Sequence, residues 1–320
     1  VTRKFPYRVS PGRMAVERLA PFVDLLLSPL VLLATPVMLL VARLGWRGRL
    51  ARRILDSAGI AVLRHHYYSP VVFQSDLGAD LDAPRELPGI DMREEHQVAL
   101  LSDLSFSAEC ETALAGFDFD NPNFARIDSY VLYSMLRHLQ PRRMYEIGSG
   151  FSTRVASAAL SRNATACSHL CIEPYEMPWL EQTGATIVRK RLEDIPLALF
   201  DELEAGDVLF IDSSHTVRPQ GDVVREYLQI LPRLAPGVVI HVHDVYTPHD
   251  VHPYLVVEQR KIWTEQYVME ALLSGGDRFE VMLANYWIGR QHPKAFANVV
   301  PGFALPPGRD GCSFWMRRAG

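Results

Sequence analysis

A doubly wound α/β sheet is the fold this sequence predicts, and three features predict it. From Ile127 onward, short apolar runs alternate with amphipathic ones at the spacing of strand–helix units. The stretch Tyr145-Glu146-Ile147-Gly148-Ser149-Gly150-Phe151 closes an apolar run with two glycines and opens a run of small residues, the pattern of a strand turning tightly into a helix. Glu173 then stands 23 residues past Gly150, at the end of the next apolar run. In nucleotide-binding sheets a carboxylate at that place meets ribose hydroxyls.

The elements follow in order. Ile127 to Leu139 reads as an amphipathic helix and Arg143 to Ile147 as the first strand. Ser152 to Leu160 is a helix rich in small residues. His169 to Glu173, Thr186 to Lys190, Asp207 to Asp212 and Val238 to Asp244 supply the next four strands, with a helix over Asp222 to Leu234. Phe279 to Tyr286 and Ser313 to Arg317 are two final strands. A sheet of this kind binds ligands at the carboxyl ends of its strands, where the strand order reverses.

The 320 residues, 48% hydrophobic and 22% charged, have globular composition and suit one α/β domain with an accessory region. The sequence divides into residues 1–64, basic and apolar; residues 65–125, a cap or linker that includes an amphipathic stretch from Glu94 to Leu104; and residues 126–320, the sheet domain. A net charge of −4 gives no general attraction to polyanions, and no nucleic-acid partner is expected. Cys110, Cys167, Cys171 and Cys312 are expected to be reduced thiols. The C-x3-C pair formed by Cys167 and Cys171 has no second pair to complete a zinc site.

Leu25 to Ala42 is a run of 18 uncharged residues, about 27 Å as a helix and close to the thickness of a bilayer's hydrocarbon core. It is too long for a signal peptide and lacks a cleavage site before Arg43. Pro29 and Pro36 interrupt it, each at a cost of about 3 kcal/mol in a regular helix. Arg3, Lys4, Arg8, Arg13 and Arg18 precede the run, and Arg43, Arg47, Arg49, Arg52 and Arg53 follow it. Balanced flanks give the positive-inside rule no direction. A broken, re-entrant hairpin at the cytoplasmic face of the cell membrane satisfies prolines and charge together. The alternative is an apolar helical pair buried against the sheet domain or a second copy of the chain.

Two details separate the glycine turn from a dinucleotide site. Thr153 stands where G-x-G-x-x-G has its third glycine, and Glu146 lies inside the strand two positions before the turn. A carboxylate there is badly placed for a pyrophosphate and suits a ligand with a positive end, such as the amino and sulfonium groups of S-adenosylmethionine (SAM). The turn thus offers Gly148, Ser149, Gly150, Ser152 and Thr153 as cofactor contacts beside Glu146 and Glu173. Glu193 and Asp194 stand after the third strand, where an adenine amino group is met, and Asp212 and Ser213 after the fourth.

The segments E-I-G-S-G-F-S-T, C-I-E-P-Y, F-I-D-S-S-H and V-H-D-V-Y-T-P, in this order, resemble one bacterial branch of the class I SAM-dependent methyltransferases. The resemblance covers roughly residues 66–287, including H-Y-Y-S-P at 66–70 and W-T-E-Q-Y at 263–267. It implies a Rossmann-like sheet of seven strands, mostly parallel with an antiparallel last strand, and SAM contacts at Glu146, Gly148, Gly150 and Glu173. It does not identify an acceptor.

The fourth and fifth strands end in Asp212-Ser213-Ser214-His215 and His241-Val242-His243-Asp244, so Asp212, His215, His243 and Asp244 are expected to converge as catalytic residues. Metal-dependent O-methyltransferases with a similar sheet place a carboxylate after each of these strands to bind Mg²⁺. Asp212, His243 and Asp244 would be the ligands here, although imidazole suits zinc, iron or manganese better than magnesium. The competing role for His215 and His243 is that of general base for an acceptor hydroxyl, and histidines at strand ends can also be structural. His241, two residues before His243, shares its strand face and could also point to the site. Tyr67, Tyr68, Trp263 and Tyr267 are candidates for an acceptor pocket or for core. His249 and His252 sit in what reads as an exposed loop.

The resulting expectation is a SAM-dependent methyltransferase at the inner membrane face, acting on an oxygen of a glycan, lipid-linked intermediate or secondary metabolite. The rivals are a nicotinamide-dependent oxidoreductase, which would want the third glycine, and a membrane-bound SAM-binding scaffold without turnover.

Overall fold

The computed structural model describes residues 11–78, 80–303 and 311–320. The leading basic residues Arg3, Lys4 and Arg8 lie outside that set. The chain divides into two compact units between Leu77 and Gly78.

In the first unit, helix α1 (Pro11–Leu44) runs without a break through Pro21, Pro29 and Pro36. The broken hairpin is therefore not what forms. Ahead of two of the prolines, the Ser28 hydroxyl donates to the Asp24 carbonyl at 2.7 Å and the Thr35 hydroxyl to the Val31 carbonyl at 2.8 Å. Within Leu19 to Arg47 a window of 18 residues has a mean hydropathy of 2.4 and none of it is buried, so the helix is long and apolar enough to cross a membrane. A 3-10 turn, Gly45–Arg47, leads into α2 (Arg49–Ser57), whose Leu50 and Ile54 are exposed.

The second unit begins with helices α3 (Glu94–Asp103) and α4 (Ser107–Ala113). After α5 (Arg126–Leu139) come β1 (Arg143–Ile147), α6 (Phe151–Leu160), β2 (Ser168–Ile172), β3 (Thr186–Val188) and β4 (Val208–Ile211). Then follow α7 (Asp222–Arg225), β5 (Val239–Val242), α8 (Glu265–Ser274), β6 (Phe279–Ala284), α9 (Asn285–Gln291), α10 (Pro293–Phe296) and β7 (Phe314–Arg318). The seven strands are ordered β3-β2-β1-β4-β5-β7-β6, with β7 antiparallel to both neighbours and the strands from β1 to β5 mutually parallel. The chain leaves β1 toward one edge and returns at β4 toward the other, so the reversal lies between β1 and β4.

Strand periodicity sorts the core into two layers. Tyr145, Ile147, Leu209, Ile211, Ile240 and Val242 face one layer, with Tyr227 and Met269. Met144, Val208, Phe210 and Val239 face the other, against α5 and α6.

Two elements depart from the sequence expectation. Asn285 and Tyr286 open α9 instead of ending β6. The Asn285 N–H bonds the Ser313 carbonyl and its side-chain amide bonds Asp128, which turns the chain away from the ladder. The helix over Asp222 to Leu234 forms, but it widens into a π turn at Glu226–Ile230 and tightens to 3-10 at Leu231–Arg233. A π turn inside a helix commonly marks a functional site.

Candidate functional site

The glycine turn is shaped by close backbone packing. Gly148 has φ +82°, and a Cβ placed there would lie 1.9 Å from the Asp212 carbonyl oxygen. Only glycine lets the ends of β1 and β4 meet this closely. The turn is tied on both sides, by the Gly148 N–H to the Ile172 carbonyl at 3.1 Å and the Asp212 N–H to the Ile147 carbonyl at 2.8 Å. Gly150, by contrast, has φ −177° and open space where a Cβ would be.

Beside the turn lies a cavity of about 310 Å³. Gly148 lines it from the end of β1, Glu173 and Tyr175 from β2, Leu192 and Glu193 from β3, and Asp212 and Ser213 from β4. The Glu173 carboxylate is held in place by the Ser149 N–H at 3.0 Å and the Tyr175 N–H at 2.6 Å, one on each oxygen.

Glu146 is placed differently from the sequence expectation. It is fully buried on the α6 side of the sheet, where His169 Nε2 meets one of its oxygens at 2.5 Å and the Thr153 hydroxyl donates to the other at 2.8 Å. The Thr153 hydroxyl oxygen also accepts the Gly150 N–H at 3.0 Å. Glu146 thus braces the turn through Thr153 from behind and does not line the cavity, and neither do Ser152 and Thr153, which are buried. Period-two alternation explains this, because Ile147 faces the other layer. Asp194 also falls outside the lining. The short 3-10 turn Leu192–Asp194 directs it to solvent, where it pairs with Arg191 at 3.2 Å.

Asp212, His215, His243 and Asp244 do converge. His215 Nε2 lies 3.3 Å from Asp212 Oδ1 and 3.4 Å from Asp244 Oδ2, and His243 Nδ1 lies 3.6 Å and 3.8 Å from the same two oxygens. Both histidines are buried. His215 and Asp244 have φ +57° and +58°, a left-handed conformation that side chains other than glycine adopt at a cost.

Each imidazole has a carboxylate on its far nitrogen. His215 Nδ1 meets Glu265 at 2.9 Å, and His243 Nε2 lies 3.5 Å from Asp128. The second oxygen of Glu265 accepts the Tyr227 hydroxyl at 3.0 Å. Asp128 accepts the N–H groups of Gly311, Cys312 and Ser313 and the Asn285 amide. The Cys312 thiol donates to Asp244 Oδ1 at 3.2 Å.

The electrostatics follow from this crowding. Burial by itself would push both imidazoles down, but the partners reverse that. Asp212, Glu265 and Asp244 hold His215 well above its usual range, and Cys312, Asp212, Asp244 and Asp128 do the same for His243. Burial would raise Asp212, yet the His243 and His215 imidazoles hold it well below the usual carboxylate range. Asp128, in spite of complete burial, is lowered to about 2 by His243 and its amide donors. Glu226, which accepts the Ser213 hydroxyl at 3.2 Å, is raised by burial and then by Glu265 and Asp222.

Asp128, Glu265, Glu226 and Cys312 were not singled out from sequence. The available signal for Asp128 was a carboxylate at the start of an otherwise apolar helix face, and for Glu265 its place in W-T-E-Q-Y.

Other expectations are corrected. His241 does share the His243 face but lies deeper, stacked on Phe210 at 4.1 Å with Nε2 2.9 Å from the Ser313 hydroxyl; burial lowers it to about 3. It is a core residue. The loop carrying His249 is not an exposed one, for His249 is buried against Tyr286 and its carbonyl accepts from Gln266 and Arg85. Arg85 in turn forms a two-pronged pair with Glu270. Trp263 packs edge-on against His215 at 4.7 Å, and Tyr267 bonds Asp250. Tyr67 and Tyr68 stack on each other, exposed, within the first unit.

Residues 145–245 match the model of a methyltransferase-domain family. A relative in Archaeoglobus fulgidus, an uncharacterized protein, is 23% identical over 184 residues, 48% of this chain and 80% of its own. Among solved structures, the O-methyltransferase TomG of Streptomyces achromogenes, with SAM, is 18% identical at a TM-score of 0.40 and covers 72% of this chain and 100% of its own. An O-methyltransferase of Bacillus cereus, with S-adenosylhomocysteine (SAH), is 16% identical at 0.41 and covers 70% and 100%. The SAH-bound methyltransferase PaMTH1 of Podospora anserina is 14% identical at 0.39 and covers 76% and 100%. The family match runs from β1 to just past β5 and covers the glycine turn and both polar strand ends, so this stretch of the chain is similar to a methyltransferase domain.

Proposed function

We propose that this chain binds SAM at the carboxyl edge of β1, β2 and β4 and transfers its methyl group to an oxygen of a small-molecule, glycan or lipid-linked acceptor. The observation that carries this reading is the cavity in which Gly148, a pre-oriented Glu173 and Asp212 meet. The Glu173 carboxylate, fixed by two N–H groups, would receive ribose hydroxyls. Gly148, Ser149 and Gly150 would lie against the amino-acid end, with Glu146, Ser152 and Thr153 bracing the turn from behind. Leu192 and Glu193 would meet the base, Asp194 bordering them through Arg191. Asp212 and Ser213 would close the site beside the reactive sulfur, and the cofactor, when bound, supplies the methyl group.

Methyl transfer from a sulfonium depends chiefly on in-line placement of the acceptor. His215, His243 and Asp244 gather around Asp212 at its end of the cavity and are suited to orient an acceptor hydroxyl. Trp263 offers an apolar wall beside His215. The continuous, unburied apolar helix α1 and the arginines on its flanks support attachment to a membrane, which we place at the cytoplasmic face. Residues 1–64 would then be the attachment region and residues 65–125 the cap.

Titration calorimetry of the full chain with SAH and with NADH tests the reading. SAH should bind and NADH should not. Tighter binding of NADH would favour the oxidoreductase, and SAH binding without methyl transfer to any acceptor hydroxyl would favour the scaffold.

A further inference from the structure

Behind the glycine turn, on the α6 side of the sheet, side chains from two strands and one helix form a single chain of hydrogen bonds. Ser157 of α6 meets His169 Nδ1 at 3.3 Å, and His169 Nε2 meets one oxygen of Glu146 at 2.5 Å. The other oxygen of Glu146 accepts the Thr153 hydroxyl at 2.8 Å, and the Thr153 oxygen accepts the Gly150 N–H at 3.0 Å. The strands dictate this grouping. β1 and β2 run parallel with Glu146 opposite Cys171, and His169 stands two residues before Cys171 on the same face. Glu146 and Thr153 are buried and the His169 side chain is 8% exposed, so water competes little for these bonds.

We propose that His169 is a positioning residue of the cofactor site. Acting through Glu146 and Thr153, it keeps the Gly150 N–H turned into the protein and so fixes which donors the turn shows to a ligand. This deepens the reading of the turn as a SAM site, and rests on that reading only for the ligand named.

Proton direction decides the arrangement. A carboxylate accepts hydrogen bonds and donates none. Glu146 therefore draws the Thr153 proton toward itself, which leaves the Thr153 lone pairs to accept from Gly150. That orientation lasts only while Glu146 stays a carboxylate, and a charge shut off from water neutralises itself when it lacks partners. Among the described residues, His169 and Thr153 are the donors on its two oxygens. A Ser157 hydroxyl donating to Nδ1 leaves the ring proton on Nε2, where Glu146 needs it. Without His169, a protonated Glu146 would donate to the Thr153 oxygen, and the Gly150 N–H would lose its acceptor.

The neighbouring amides are taken as well, Gly148 N–H by the Ile172 carbonyl and Ser149 N–H by Glu173. Turns that cradle a diphosphate leave such amides open to it. Here β2 closes two of them from its own end and the third through His169 near its start. His169 thus bears on the choice between a sulfonium cofactor and a phosphate-bearing nucleotide, although it lies behind the sheet.

Hydrogen exchange at the Gly150 amide tests this, in the full chain solubilised in detergent and labelled with ¹⁵N-glycine, the signal being assigned with Gly150→Ala. Calorimetry with SAH and with ADP-ribose reads the ligand choice. His169→Leu removes the donor, whereas His169→Gln keeps an N–H in its place. In His169→Leu the Gly150 amide should exchange faster and SAH affinity should fall, each by about ten-fold, the effect of one lost hydrogen bond to a charged group. The preference for SAH over ADP-ribose should narrow with them, and His169→Gln should restore all three. Thr153→Val cuts the same chain one link nearer Gly150, should release the amide too, and carries the test if His169→Leu does not fold by near-ultraviolet circular dichroism. Wild-type Gly150 exchange in a folded His169→Leu or Thr153→Val overturns the proposal. So does a His169→Gln no better than His169→Leu, since lost packing would then explain the effect. Release of Gly150 by His169→Leu in a protein that binds no SAH would uphold the role of His169 and refute the cofactor reading. SAH binding with Gly150 exchange indifferent to His169 would do the reverse.

Discussion

Replacing Gly148 and Gly150 by alanine, one at a time, separates what the turn needs for its own structure from what a ligand needs. In Gly148→Ala the new methyl would stand 1.9 Å from the Asp212 carbonyl oxygen, and the residue would keep φ +82°. The left-handed backbone alone costs about 1–2 kcal/mol in a residue with a Cβ. Relieving the clash requires β1 and β4 to part by more than an ångström at their ends. That movement strains the two hydrogen bonds that tie the turn, each worth about 1 kcal/mol net. The expected loss of stability is therefore about 3–4 kcal/mol, with SAH affinity lost along with the turn. Gly150→Ala meets nothing within 4 Å and sits on extended backbone, so its stability should stay within about 0.5 kcal/mol of wild type. If SAH lies against Gly150, its affinity should nevertheless fall at least ten-fold. Urea unfolding followed by tryptophan fluorescence and calorimetry with SAH read the two quantities separately. Wild-type stability in Gly148→Ala, or equal effects of the two substitutions on stability, would refute the reasoning.

Four further outcomes are expected. Glu173→Ala should weaken SAH binding by about 1–3 kcal/mol, the cost of losing hydrogen bonds to a charged group, and calorimetry would show unchanged affinity if the residue does not face the ligand. Asp212→Asn and Asp244→Asn should each abolish methyl transfer while leaving SAH bound, and full turnover in both would move the chemistry away from these strand ends. Arg85→Ala should destabilise the fold by about 2–3 kcal/mol in denaturant titration, because Glu270 loses both prongs of its ion pair inside the protein; a change below about 0.5 kcal/mol would show that the pair does not hold the cap. A chain beginning near Arg64 should remain in the supernatant after membrane sedimentation and bind SAH as before, whereas continued sedimentation would show that α1 is not the attachment.

The parts of the molecule governed by local rules could be read from the residues. Arg143–Ile147 forms the strand expected, because its alternation and the glycines after it act over a few residues. The same local logic went astray at Glu146. Its alternation with Ile147 placed it behind the sheet, but the motif drew attention to the turn in front. The site's supporting carboxylates were hidden for a different reason. Asp128 and Glu265 each sit in the first turn of a helix, where an acid is normally read as a solvent-facing partner of the helix dipole. Their partners, His243 and His215, are far away in the chain, and only the packed sheet makes the acids face inward. The prolines of α1 misled in the opposite direction, since the helix runs on through what the proline rule counts as a break.

The position of β7 between β5 and β6 has a consequence for any chain cut short. The strand comes last of the seven in chain order, yet among the described residues it is the one strand paired with β6, and it is preceded by the three amides that hold Asp128. A product ending before Gly311 would keep the glycine turn, Glu173 and the parallel half of the sheet. It would leave β6 without a partner, Asp128 without its main-chain donors, and Asp244 without the thiol that orients it. Such a fragment could retain a nucleoside-shaped cavity and still be chemically inert. Completion of the last strand thus supplies the groups that hold Asp128 and Asp244 in place.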